Sequence, residues 1–167
     1  MKIKITINGK EIEAEISQEE LNKLQPAQKK KTGYEMDKQI TYPCYIDRYG
    51  EVDHIVNTDA GLKCYETANY YSSLVVAKNN ARADQLMRQL RRFAVEHREQ
   101  ELNWNDSDQS KYFIYYKFPT SRFDIAYVNS IKRIGEIYFD SPETAQLAID
   151  TFHDELVWYF TEYKDSL

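Results

Sequence analysis

Glycine is scarce in this chain of 167 residues, with only 5, and there are 4 prolines, 3 histidines and 2 cysteines. Each shortage removes a class of chemistry. So few glycines leave little material for a phosphate-cradling loop, and neither a Walker motif nor GxGxxG is present. Cys44 and Cys64 form no CxxC pair and have no second pair to complete a zinc site. The histidines, His54, His97 and His153, belong to no HExxH, and no GxSxG occurs. These absences point away from an enzyme, a metal site and a cofactor. Nor is there a run approaching the ~18 apolar residues of a membrane span. The opening MKIKITINGK alternates instead of forming the apolar stretch of a secretory signal, so a cytoplasmic protein with reduced thiols is expected.

What is present is acid and tyrosine. The net charge is −5, and aromatic residues make up 14% of the chain, with 14 tyrosines. Tyrosine joins an apolar ring to a polar tip, so it serves half-buried strands and binding surfaces equally.

The hydropathy pattern predicts a small N-terminal unit and a larger body. Ile3, Ile5 and Ile7 alternate up to an Asn8-Gly9 turn, and Ile12, Ala14 and Ile16 return, which is a β-hairpin signal. Ser17 with Glu20 reads as a capping box opening a short helix that Pro26 ends. This ββα unit, residues 1–25, is too small to bury its own apolar face, so it must dock, dimerise or hold a partner. Residues 26–33, PAQKKKTG, have the composition of a connector, leaving 34–167 as the main domain. There a second hairpin is expected to turn at Asp47–Gly50, followed by a loop over 57–71. Ser73 then caps a long helix reaching about Gln100, whose inner stripe includes Val75, Leu86, Leu90, Phe93 and His97, the last as a satisfied core histidine. Three strands follow, 112–118, 123–128 and 134–139, and a last long helix opened by Ser141 and Pro142. The sum is an α+β fold, a mostly antiparallel sheet with two long packed helices plus the N-terminal ββα unit.

Two surfaces could carry function. From Gly135 onward the chain has eight acids against one base, Lys164, a balance of −7 that exceeds the net charge of the whole. On a continuous helical wheel Glu143, Asp150, Asp154 and Asp165 gather opposite the core stripe, with Leu147 and Trp158 among them. A tryptophan in an acidic face is a suitable anchor for a basic protein partner, since the ring supplies affinity and the carboxylates steer the encounter. The competing reading is that Leu147 and Trp158 are ordinary core. The second surface is KYFIYYKF, where Lys111 and Lys117 interleave with aromatics and Arg122, Lys132 and Arg133 follow, in the style of a single-stranded nucleic-acid platform. Net acidity opposes that reading unless the cations share one face. Asp106 and Asp108 resemble the start of a calcium loop but lack its glycine and closing glutamate, so a capped turn anchored by Trp104 is expected.

TGYE, YETANYY, WNDSDQSKYFIYY and GEIYFDSPETAQLAIDTFHDELVWYF together resemble a group of small accessory proteins encoded by phages and integrative mobile elements of Gram-positive bacteria. The resemblance implies no transferable catalytic residues. It does imply a counter-defence role of the anti-CRISPR type, in which an acidic surface competes with nucleic acid for a host nuclease. On that basis the leading expectation is a non-enzymatic inhibitor of a basic, nucleic-acid-handling host protein. Trp158 would be its anchor, with Glu143, Asp150 and Asp154 standing in for phosphates as a DNA mimic. The alternatives are a nucleic-acid-binding accessory protein using Lys111, Lys117, Arg122 and Arg133, and a structural homodimer held by the N-terminal unit.

Overall fold

The structure, a computed structural model, describes residues 2–7, 10–15, 31–36, 43–56 and 58–166. The chain divides into two compact units, Met1–Lys31 and Thr32–Leu167, a division that falls within the connector expected from composition. In the first unit β1 (Lys2–Ile7) and β2 (Lys10–Glu15) pair antiparallel, with Ile5 opposite Ile12 and Lys4 opposite Glu13, the register that the alternation requires. The helix expected after Ser17 lies outside the described residues.

The second unit is α+β, and every strand pair in it is antiparallel. β3 (Cys44–Ile46) and β4 (Val52–His54) form a short ladder closed by the Asp47–Glu51 turn. The Asp47 side chain accepts the Tyr49 and Glu51 amides at 2.8 and 2.9 Å, an Asx cap on the turn. Helix α1 (Thr58–Glu66) occupies the segment expected to be a loop. Among its described side chains only Gly61 is buried, with Ala60 and Cys64 half-buried, so its apolar signal is short and weak.

Helix α2 (Leu74–Glu96) is the longest element, and the Ser73 hydroxyl caps it by accepting the Val76 amide. Its inner face is Val76, Ala83, Leu86, Leu90 and Phe93, while Val75 points to solvent. The helix stops at Glu96 with His97 as its C-cap. That ring is exposed, not core as expected, and it stacks on Phe93 at 3.8 Å with Nδ1 3.0 Å from the Phe93 carbonyl.

β5 (Lys111–Lys117) and β6 (Arg122–Val128) pair in full register around a tight turn whose Ser121 is left-handed at φ 49°. The expected third strand over 134–139 does not form. Only Phe139 reaches Tyr112, in a reciprocal pair of backbone hydrogen bonds of 2.9 and 2.8 Å, so the ladders remain two-stranded.

The last helix is broken. α3 (Pro142–Thr151) begins at the expected Ser141 cap and ends at Phe152, which also starts α4 (His153–Thr161). Phe152 leaves helical geometry at φ −111°, ψ 22°, and its ring packs edge-on against Phe93 at 5.5 Å. The apolar stripe continues across the break, with Ala145, Ala148 and Ile149 before it and Leu156, Tyr159 and Phe160 after it packed on one core.

Leu86, Leu90 and Phe93 of α2, Ala145, Ala148 and Ile149 of α3, Leu156 of α4 and Phe139 make the main core, floored by the β5–β6 hairpin. Ala145 and Ala148 are fully buried, and their small side chains let α3 lie close against its neighbours. A second cluster joins Cys44, Tyr71, Val76 and Ala77 beneath Tyr34. Gly33, at φ +96°, holds the TGYE turn against α2. A Cβ there would come within 2.8 Å of Val76, and the Gly33 carbonyl accepts the Ser72 amide at 2.7 Å. No helix among the described residues is long and apolar enough to cross a membrane.

Candidate functional site

The outer face of α3 keeps part of the acidic set. Glu143, Leu147 and Asp150 sit at i, i+4 and i+7 and all are exposed, Leu147 by 47%. Asp154 follows in the first turn of α4, its side chain fully in solvent. None of these three carboxylates pairs with a lysine or arginine among the described residues. Asp150 accepts from Gln146 at 2.9 Å and Asp154 lies 3.2 Å from His153 Nδ1. Asp150 and His153 also line a groove with Arg122, Phe123 and Ser121.

Trp158 is not part of that surface. It is 9% exposed, covered by the Arg82 guanidinium 4.0 Å above its ring and flanked by the Tyr163 ring at 5.6 Å. Arg82 is held there by two hydrogen bonds to Glu155, of 2.8 and 2.9 Å. The pair also keeps the guanidinium pKa above its ordinary value, chiefly through the Glu155 hydrogen bonds. Trp158 is therefore an α2–α4 packing residue, not a partner anchor. Asp165, exposed beyond the end of α4, acts electrostatically on Tyr34 and Tyr163 and joins the tyrosine cluster instead of the α3 face. In that cluster Asn80 donates to the Tyr34 phenol at 2.9 Å and accepts from the Tyr163 phenol at 3.0 Å. Burial pushes the Tyr163 pKa up to about 12.

The alternative basic set is dispersed and neutralised. Lys111 is fully buried, and its ammonium donates to the carbonyls of Asp106, Gln109 and Asn129 at 2.8, 2.7 and 2.9 Å. It organises the NWNDSDQS loop from within and presents nothing to a phosphate. Around it the expected capped turn is present: Asn103 and Asp106 side chains accept the Asn105 and Asp108 amides, and Trp104 packs edge-on against Tyr138 at 4.8 Å. Lys117 is bound to Asp124, which also lies 3.7 Å from Arg122. That hydrogen bond raises the Lys117 pKa and lowers that of Asp124. Arg133 reaches Glu136 at 3.3 Å and lies over the Phe113 ring at 5.1 Å.

A different group of cations converges where the end of α2 meets the 130–138 segment. Arg91, Arg98 and Lys132 line a groove of about 240 Å³ together with Trp104, Tyr138 and Asp140. Asp140 is 4% exposed. Its Oδ2 accepts the Glu99 and Gln100 amides at 2.7 and 3.3 Å, while Oδ1 is buried without a hydrogen-bond partner among the described residues. An unmatched buried acceptor costs about 1–3 kcal/mol, which makes this oxygen a feature that wants a donor. The rim is apolar as well as basic: Ile131 and Ile134, on either side of Lys132 and Arg133, are exposed by 63% and 106%. Sequence reasoning missed this groove because its members come from four separate segments. The only local signal was the IKRI run, which puts two isoleucines around two cations.

Cys44 and His54 form the one thiol–imidazole contact among the described residues, Sγ to Nδ1 at 3.5 Å across the β3–β4 ladder. Burial pushes the Cys44 thiol up, and a thiol held protonated is a poor nucleophile. No three His, Cys, Asp or Glu side chains converge as a metal cage among the described residues. Comparison with protein-family models, curated proteins and solved structures finds no match to this chain.

Proposed function

We propose that this chain is a non-enzymatic binding protein of the bacterial cytoplasm that docks onto a basic, nucleic-acid-handling protein through the outer face of α3 and the start of α4. One observation carries the reading: Leu147, half in solvent, stands on a face with Glu143, Asp150 and Asp154, none of them neutralised by a lysine or arginine among the described residues. Such a face suits a basic partner in a particular way. The carboxylates steer the encounter and occupy positions that phosphates would take, and Leu147 supplies the apolar contact that the buried Trp158 cannot. The resemblance to accessory proteins of phages and mobile elements supports placing that partner in host defence, as a nuclease whose nucleic-acid channel the acidic face would block. No catalytic role is assigned to any residue.

The experiment is a pull-down from a Gram-positive bacterial lysate, with nuclease treatment and a salt series, comparing the wild type with Asp150→Lys/Asp154→Lys and with Leu147→Ala. The reading expects a protein that survives nuclease, is released as salt rises, and is lost from both variants while their circular dichroism is unchanged. Capture that both folded variants retain would overturn it.

A further inference from the structure

The outer face of α3 and the groove at the end of α2 carry opposite surpluses of charge. On the helix, Leu147 is 47% exposed, with Glu143 one turn before it and Asp150 one turn after it, and neither carboxylate meets a lysine or arginine among the described residues. Around the groove most cations are already matched: Arg92 with Glu96 at 3.7 Å, Arg98 with Glu101 at 2.7 Å and Arg133 with Glu136 at 3.3 Å. Arg91 and Lys132 are exposed and carry no ion pair among the described residues. The carboxyl in the wall, Asp140, is buried and turned onto the Glu99 and Gln100 amides, so the mouth of the groove keeps its two free cations.

The shapes correspond as the charges do. Leu147 projects from a convex helix surface as a knob. The groove is a hole of about 240 Å³ with apolar walls from Ala94, Val95 and Leu102, room for a leucine side chain. Ile131 and Ile134 extend its apolar rim, and Lys132 rests its ammonium over the Trp104 ring at 5.4 Å, which keeps that charge beside the opening. We infer that the groove is the docking site for the outer face of α3 from a second copy of this chain, with Leu147 seated against Val95 and Leu102 and with Glu143 and Asp150 meeting Arg91 and Lys132.

Glu143 and Asp150 stand about 10 Å apart along the helix axis, on either side of the leucine, and the two long cationic side chains have the reach to meet one carboxylate each. Because knob and hole are different surfaces of one chain, the contact is head-to-tail. One helix face in one short groove is a small interface, so the association is weak and depends on concentration. It also covers the carboxylates that the proposed function offers to a basic host protein, which makes a second copy and that host protein competitors. The inference rests on the same exposed face as that reading, but on no host protein.

The test uses the purified full chain in sedimentation equilibrium, from about 1 to about 300 μM and at about 50 and 500 mM salt. The mean mass is expected to rise with concentration above the 19.8 kDa of one chain and to fall back as salt rises. Arg91→Ala/Lys132→Ala breaks the groove and Leu147→Ala/Asp150→Ala breaks the face, all four at exposed positions, and each pair is expected to weaken self-association by about tenfold or more with circular dichroism unchanged. Mixed in equal amounts, the two variants supply one complete contact, the intact face of the first in the intact groove of the second. The mixture is therefore expected to reach about twice the mass of one chain and to stop there, since neither free end can recruit another copy. A wild type that stays monomeric at every concentration would overturn the inference. So would association retained by either folded variant, as a dimer held through the N-terminal unit would show, or a mixture that stays monomeric. A monomeric wild type leaves the pull-down result standing, because the α3 face is then free at all concentrations, and loss of the host partner leaves the sedimentation result standing.

Discussion

Replacing Lys111 with methionine tests whether a buried cation organises the loop that precedes β5. The substitution preserves an unbranched stem of similar length in a fully buried position but removes the ammonium and its three donors. The carbonyls of Asp106, Gln109 and Asn129, now 2.7 to 2.9 Å from Nζ, then lose their common partner. Hydrogen bonds from a charged donor contribute about 1.5–3 kcal/mol each, so the gross loss is roughly 5–9 kcal/mol. Against this stands the several kcal/mol that burying an ammonium costs, which the variant no longer bears. Water reaching the freed carbonyls of an otherwise exposed loop offsets more of the loss. The net expectation is a destabilisation of about 2–4 kcal/mol. At roughly 2–4 °C per kcal/mol for a domain of this size, that is a fall in Tm of about 5–15 °C. Urea melts followed by tryptophan fluorescence and by far-ultraviolet circular dichroism measure it, and Trp104, whose ring lies 5.5 Å from the ammonium, reports the loop directly. A loss below about 0.5 kcal/mol would refute the reasoning and return Lys111 to the surface role its sequence context suggested.

Three further outcomes follow from the same geometry. Trp158→Ala is expected to cost about 3–5 kcal/mol because the ring is buried beneath Arg82, whereas Leu147→Ala should stay within about 0.5 kcal/mol, and paired chemical melts separate the two. Gly33→Ala should destabilise by about 1–3 kcal/mol, since φ is +96° and Val76 stands 2.8 Å from the added methyl. Gly135→Ala, at φ +81° with open space around it, should lose only about 1 kcal/mol, and thermal melts of both compare strain plus clash with strain alone. Glu35 has its carboxyl pKa lowered to about 2, first by the Thr32 amide, with its own amide, the Thr32 hydroxyl and the Gly33 amide adding to the effect. A depressed folded-state value means the turn is stabilised fully above the ordinary glutamate value of 4.5 and loses that support as pH falls toward about 2. An NMR titration of the Thr32 and Gly33 amides should therefore show its midpoint near 2, and a midpoint near 4.5 would contradict the cradle.

The readable parts of the fold were those whose signal is local. Ile3 to Ile16 alternates at the strand period, Ser73 and Ser141-Pro142 carry cap chemistry, and Asn103 and Asp106 close their own turns with short side chains. Each of these involves residues within a few positions of one another, so a one-dimensional pattern contains the interaction. Helix α1 was hidden because its apolar signal is short and weak. The third strand was over-read because Ile134 to Phe139 has strand composition but finds a partner only at Tyr112.

The functional surfaces divide in the same way. That Glu143, Leu147 and Asp150 share one face was determined by the sequence alone, since i, i+4 and i+7 coincide on any uninterrupted helix, and α3 is uninterrupted there. Whether Trp158 joined them was decided only by packing from elsewhere in the chain, where an arginine 76 positions away covers the indole. Tertiary structure alone took Lys111 out of solvent, because its three acceptors come from both sides of the β5–β6 hairpin. It also assembled Arg91, Trp104, Lys132 and Asp140 into one groove, out of segments that share no periodicity. Local chemistry sets which residues could face water, but burial is a property of long-range packing, and packing is where each aromatic and each charge received its role.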